Sequence, residues 1–302
     1  MRIILIGQAA FAEQVLDGVR ARGHEVVATY CPPDTPGGKP DPVKAHAQAL
    51  AIPVRQHRSL KGDAVRREFA DLKADLGVMA YVTQIVPLPI IETPKLGSIC
   101  FHPSLLPQYR GGSAIPWQII KGETRTGVTV FWADAGIDTG PILLQKEAAI
   151  GADDTAGSLY YQTLFPLGVE AVLESVDLIA AGKAPRIAQD GTRASYDSLL
   201  RDEHAQIEWT RPVQQVYNLI RGCDPQPGAY AVRAGAKLRC YDARRLDRTE
   251  VAPGVVGEIA DAGIVVGASG GAIRIGRLRV GDKKVAAGEA ARSFGLSVGA
   301  AL

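Results

Sequence analysis

Residues 1–30 read MRIILIGQAAFAEQVLDGVRARGHEVVATY. Arg2 to Ile6 is an apolar run closed by Gly7, which reads as a central parallel strand. Ala9 to Arg22 places Phe11, Val15, Leu16 and Val19 at helical spacing, and Gly23 ends that helix. Glu25 to Tyr30 is a second strand. A β-α-β unit at the amino terminus predicts an α/β fold with a doubly wound, mostly parallel sheet. A dinucleotide fingerprint needs three glycines after the first strand; G-Q-A-A-F-A supplies one, so NAD is not expected.

The rest of the composition narrows the class. The chain has 302 residues, 46% of them hydrophobic and 22% charged, enough for two domains with a sizeable core. A net charge of +2 points to neither nucleic acid nor an acidic partner. The apolar run at the start is four residues long, too short for a signal peptide. No run approaches the ~20 apolar residues of a membrane span. Cys31, Cys100, Cys223 and Cys240 form no C-x-x-C pair and no zinc-ligand spacing, so free thiols and no metal are expected. The expectation is a cytoplasmic protein that binds no membrane.

Outward from the first unit, C-P-P-D-T-P-G-G-K-P-D-P (residues 31–42) is an irregular loop at a strand end, where open sheets meet ligands. Pro42–Leu50 and Asp63–Leu72 read as helices, Pro53–His57 and Leu76–Tyr81 as strands. V-T-Q-I-V-P follows the latter, mixing polar and apolar groups as a flat heterocycle pocket would. Asp154-Thr155 caps a helix running to about Ala181. The expected organisation is a first domain over 1–183, a linker over 184–205 and a small domain over 206–302. In the last, short apolar runs recur about every ten residues between glycines, which predicts a small antiparallel barrel or sandwich. Residues 206–302 carry 14 Lys and Arg against 9 Asp and Glu, a weak hint of an anionic partner.

Chemistry concentrates between Gly97 and Gly140. G-S-I-C-F-H-P-S-L-L-P-Q-Y-R-G-G-S-A delivers His102 from a strand into a turn-rich loop. T-G-V-T-V-F-W-A-D-A-G-I-D-T-G delivers Asp134 and Asp138 from another strand, to the same sheet edge on this reading. A carboxylate beside an imidazole fixes its tautomer and lets the pair move a proton near neutral pH. An acid between glycines is also an ordinary turn former, and that reading stands beside the catalytic one. His24, His46, His57 and His204 lie in polar surroundings and read as surface residues. No G-x-S-x-G elbow appears, so Ser104 is not expected to be a nucleophile.

H-P-S-L-L-P-Q-Y-R-G-G-S-A and D-A-G-I-D-T-G resemble the signature of enzymes that use 10-formyltetrahydrofolate to move a formyl group. The likeness extends over F-W-A-D-A-G-I-D-T-G, L-L-Q-K-E, L-F-P-L-G-V-E, G-K-A-P-R and I-R-G-C-D-P-Q-P-G. Those strings are most similar to the amino-terminal hydrolase domain of 10-formyltetrahydrofolate dehydrogenase; the chain also resembles methionyl-tRNA formyltransferase. The resemblance implies a Rossmann-like formyltransferase domain followed by an OB-like β-barrel. It implies His102 and Asp138 as the catalytic pair. The folate would lie along Met79, Tyr81, Val82, Gln84, Ile85 and Val86, and along Ala133, Asp134, Ala135, Gly136, Ile137 and Asp138. Arg110 would shape the pocket mouth.

Two departures bear on the acceptor. The transferases carry asparagine two residues before the histidine, where this chain has Cys100. An amide can donate to a developing oxyanion and a thiol is a weak donor, so Cys100 enters the catalytic set as the altered position, not as a nucleophile. The hydrolase-type members also lack that asparagine. Second, the loop at 31–42 holds one lysine and two aspartates, too few cations for a polyanion. Water, a small amine or a hydroxylamine is therefore the expected acceptor; tRNA is less favoured, and a folate-binding module without activity is the third alternative. With the sequence ending at Leu302, oxidation of the formyl group is not expected.

Overall fold

The computed structural model describes residues 1–302. They form two compact units. The first comprises Met1–Gly112, Gly127–Ala148 and Thr163–Tyr196; the second comprises Ser113–Thr126, Ala149–Gln162 and Asp197–Leu302.

The first unit is built on β1 (Arg2–Gly7), α1 (Ala9–Ala21), β2 (Glu25–Cys31), α2 (Pro42–Ala49), β3 (Val54–Gln56), α3 (Asp63–Asp71) and β4 (Leu76–Ala80). A single turn, α4 (Leu88–Ile91), leads to β5 (Ser98–His102). Helix α5 (Ala114–Ile120) belongs to the second unit, and β6 (Arg125–Trp132) and β7 (Ile142–Ala149) return to complete the sheet. The strand order is β3-β2-β1-β4-β5-β6-β7. Strands β1 to β5 pair in parallel, as their unbroken apolar runs predict.

Strand β6 departs from that pattern. It is antiparallel to β5, with Ile99 opposite Trp132 and His102 opposite Thr129. The end of β6 therefore lies level with the start of β5, and the two strands do not deliver their residues to one edge as the sequence suggested. Residues 133–141 double back instead, closing where the Trp132 N–H donates to the Pro141 carbonyl at 2.9 Å.

Two local devices fix this frame. Asp41 caps both neighbouring helices: its carboxylate accepts the Ala9 N–H at 2.9 and 3.0 Å and the Val43 N–H at 3.0 Å. That satisfies orphan donors at the starts of α1 and α2 with one side chain. Phe101 turns away from the site and stacks on Phe11 with centroids 4.4 Å apart.

The capping box at Thr155 is present, with Ser158 N–H to Thr155 Oγ1 at 3.0 Å and Thr155 N–H to Ser158 Oγ at 2.9 Å. The helix it starts is not uniform. α6 (Ala156–Leu159) passes through a π turn over Tyr160–Leu164 before α7 (Phe165–Ala180). The 184–205 stretch, which has no period to read, pairs with the sheet: Ile187 and Ile142 exchange backbone hydrogen bonds at 2.7 and 2.9 Å.

In the second unit, α8 (Val213–Gly222) is followed by β8 (Tyr230–Arg233), β9 (Ala236–Leu246), β10 (Val256–Ala260), β11 (Gly263–Ala268), β12 (Gly271–Val280), β13 (Lys283–Ala286) and α9 (Ala287–Ser293). The strands form an antiparallel sheet in the order β10-β11-β12-β9-β8, with β13 on β12. Its core includes Trp209, Tyr217, Leu238, Ile264 and Ile275. No helix of the protein is long and apolar enough to cross a membrane.

Gly168 in α7 faces the Phe101 ring, and an added Cβ would lie 2.4 Å from Phe101 Cε2. Gly168→Ala is expected to destabilise the protein by about 1–3 kcal/mol, because the ring is already held by Phe11 and overpacking outweighs the gain in helix propensity. A lower urea midpoint at unchanged slope checks this.

Candidate active site

His102 ends β5 with 5% of its surface exposed. Its Nε2 lies 2.7 Å from the Tyr109 carbonyl oxygen. A carbonyl only accepts, so Nε2 carries a proton and donates it. That assigns Nδ1 as the nitrogen left for chemistry. Nδ1 lies 3.5 Å from Asp138 Oδ2. When Nδ1 is also protonated, both ring N–H groups have acceptors, one neutral and one anionic.

The loop that holds His102 is itself pinned. Thr129 Oγ1 on β6 donates to the Ser104 carbonyl at 2.6 Å and accepts the Leu106 N–H at 3.2 Å. Gln145 on β7 donates to Thr129 Oγ1 and to the Leu106 carbonyl at 2.9 and 2.8 Å. Ser104 Oγ donates to the Gln108 carbonyl at 2.7 Å. It is occupied in closing the loop.

The two acids divide their work. Asp134 Oδ1 accepts the Gly136 N–H at 3.0 Å and the Thr139 hydroxyl at 2.7 Å. It is the turn former of the 133–141 loop. Asp138 sits in the left-handed region at φ +56°, and its Oδ2 accepts the Gly111 N–H at 2.7 Å while facing His102. Aspartate tolerates that conformation better than most residues.

Cys100 shares the face of β5 with His102, two residues away. Its Sγ lies 3.6 Å from the Phe101 carbonyl. Burial first, and then the Asp138 charge, push its thiol pKa well above the usual cysteine range. A thiol so held stays protonated and is a poor nucleophile.

The residues expected to line the folate separate into two sets. Met79 and Val86 are buried in the core, and Val82, Cys100 and Ala133 pack against the same cluster. Met79 pairs with Cys100 across β4 and β5, which sets this segment beside the strand that carries His102. Tyr81, Ile85 and Ile137 are large apolar side chains left 40%, 72% and 51% exposed. Tyr81, Val82 and Gln84 also line a crevice with Gly7, Gln8 and Tyr30 at the carboxyl ends of β1, β2 and β4. Open sheets bind ligands at such a switch of strand order. Ala135 and Gly136 form the exposed tip of the 133–141 loop.

Arg110 does not point freely into a mouth. Its Nε and Nη2 donate to Gln189 Oε1 at 3.2 and 2.7 Å. Gln189 was invisible to the sequence reading, because a lone glutamine in an aperiodic stretch carries no signal. The other histidines lie elsewhere and are half-buried: His46 pairs with Asp17 at 2.7 Å and His57 with Glu68 at 3.2 Å. No group of three or more His, Cys, Asp or Glu side chains is arranged to hold a metal ion.

Comparison with known proteins agrees with this architecture. The formyl transferase family matches residues 1–174, and the formyl transferase C-terminal domain matches residues 199–294. The chain belongs to the formyl transferase family. It is 41% identical over 247 residues to cytosolic 10-formyltetrahydrofolate dehydrogenase of Homo sapiens, a match covering 80% of this chain and 27% of that protein. The chain thus spans about a quarter of the length of those dehydrogenases. It is 38% identical over 308 residues to methionyl-tRNA formyltransferase of Geobacter sulfurreducens, covering 100% of this chain and 96% of that one. Among solved structures, HypX from Aquifex aeolicus in complex with tetrahydrofolic acid shares the fold, with a TM-score of 0.73 and 21% identity over 99% of this chain and 48% of that one.

The four thiols give a direct check. Burial raises the pKa of Cys31 to about 11 and of Cys223 and Cys240 to about 12, and Cys100 is raised as well. At pH 8 their thiolate fractions are small. The native protein is therefore expected to show no fast-reacting thiol toward a disulfide reagent, and four after denaturation. One fast thiol, traced to Cys100, would contradict its assignment here.

Proposed function

We propose that this chain takes the formyl group of 10-formyltetrahydrofolate and gives it to water, releasing formate and tetrahydrofolate. Small amines or hydroxylamines are the next acceptors in order. The observation that carries the reading is the His102–Asp138 pair at 3.5 Å in a formyl transferase chain, with Cys100 on the same strand face where the transferases carry an amide.

Hydrolysis forms one C–O bond and breaks the formyl C–N bond; water gives up a proton and the folate nitrogen gains one. Two proton movements suit a carboxylate and an imidazole in contact. Asp138 takes the proton of the attacking water, and His102 Nδ1 holds the proton that is passed on, with Nε2 kept out of play by Tyr109. The folate donor would rest on the exposed apolar groups of Tyr81, Ile85 and Ile137. The backbone of residues 79–86 and of the 133–141 loop would form its edges. Cys100 supplies little to a developing oxyanion: an oxyanion-hole donor is typically worth ~2.7–4 kcal/mol, and a thiol is a weak one. A loose hold on the formyl oxygen suits a small, abundant nucleophile.

Formylation of an aminoacyl-tRNA is the second reading. It is favoured by the end-to-end match to methionyl-tRNA formyltransferase. Against it stands the 31–42 loop, where Lys39 is the one cation and Asp34 is paired with Lys44.

The test mixes protein with 10-formyltetrahydrofolate and follows tetrahydrofolate release with no acceptor, with small amines and with methionyl-tRNA. Release without acceptor is expected. Release only with methionyl-tRNA would reverse the order of the two readings. Saturable folate binding with no release would leave a binding module. His102→Ala and Asp138→Ala are each expected to slow release by about 10²–10⁴-fold. Cys100→Ala is expected to cost less than about tenfold, since it removes packing and a weak donor only.

A further inference from the structure

We propose that Gln189 is a positioning residue for the His102–Asp138 pair, holding the acid's loop and the Arg110 loop together on one side chain. Its activity arm rests on the formyl-transfer reading above; its spectroscopic arm does not.

A glutamine amide has two N–H donors and an oxygen with two lone pairs, and here all are used. Nε2 donates to the Asp138 carbonyl at 2.9 Å and to the Gly140 carbonyl at 2.7 Å. Oε1 accepts both N–H groups of Arg110. Asp138 is the one loop residue that must keep a left-handed backbone while its side chain reaches His102. A carbonyl fixed on one side of that residue and a Gly111 N–H fixed on its carboxylate leave it little freedom.

The segment carrying Gln189 is anchored on both sides of it. The Trp132 indole N–H donates to the Pro185 carbonyl at 2.9 Å, and the Arg186 guanidinium lies 3.8 Å from the Trp132 ring centroid. Beyond it, Ser195 Oγ accepts the Tyr109 N–H at 2.8 Å, and the Ser195 carbonyl accepts the Arg110 N–H at 2.9 Å. Tyr109 is the residue whose carbonyl holds His102 Nε2. Residues 185–196 thus grip the acid's loop through Gln189 and the histidine's anchor through Ser195. The gap between imidazole and carboxylate is set from this one strap.

The decisive variants are Gln189→Ala and Gln189→Glu. Glutamate keeps the size of the side chain and an acceptor for Arg110, so it preserves folding, but it has no N–H for the two carbonyls. Both variants are expected to lower kcat about 100-fold, the cost of a misplacement of about 1 Å, with KM for 10-formyltetrahydrofolate within threefold. Nitrogen NMR of histidine-labelled protein, without folate, reads the pair directly. In both variants the His102 Nδ1 resonance should move away from its wild-type position while Nε2, still bound to Tyr109, stays. An unmoved Nδ1 with kcat within threefold in Gln189→Glu overturns the assignment. If the wild type releases no tetrahydrofolate, the functional reading falls, and the Nδ1 resonance alone decides for or against Gln189.

Discussion

The hydrogen bond from His102 Nε2 to the Tyr109 carbonyl decides what the rest of the site can do. It commits one ring nitrogen to the scaffold and leaves Nδ1 to face Asp138. Without it the ring could flip or change tautomer, and the carboxylate would keep the Gly111 N–H but lose a fixed imidazole partner. Most of the surrounding order serves that bond. Thr129 and Gln145 hold the loop from the sheet side, and Ser195 holds Tyr109 from the other. Phe101, one residue before His102, stacks on Phe11 on the opposite side of β5.

The second constraint is the reversal at β6. An antiparallel strand beside a parallel one carries its end away from His102. The 133–141 loop must travel back along the sheet face to bring Asp138 within reach. Asp134 makes that return compact by bonding Gly136 and Thr139. Asp138 completes it in a left-handed conformation that its short polar side chain tolerates. One acid shapes the loop and the other does the facing, so two carboxylates in one motif have different physical roles.

Much of this was legible in the sequence. The parallel half of the sheet follows from unbroken apolar runs closed by glycines, and the second unit from short runs at turn spacing. His102 and Asp138 stood out because each follows an apolar strand and sits among turn residues. Strand direction was not legible: the apolar pattern of β6 is the same whichever way it runs. The π turn at Tyr160–Leu164 leaves no mark in a helical period of that length. The stretch from 184 to 205 looked like a linker because its order comes from isolated backbone and side-chain hydrogen bonds, which have no periodicity. Gln189 and Ser195 were missed for that reason. The resemblance already singled out Asp138 as the partner of His102; the role of Asp134 in bonding Gly136 and Thr139 within its own loop was not read from the sequence.

The central claim is that His102 and Asp138 together pass the formyl group of the folate donor to water. Turnover in water enriched in heavy oxygen tests it most directly, with the product formate read by mass spectrometry. The expected result is formate carrying one solvent oxygen, made by the wild type and lost in the isosteric Asp138→Asn. Unconsumed formyl donor in the wild type, or labelled formate formed equally well by Asp138→Asn, would contradict it.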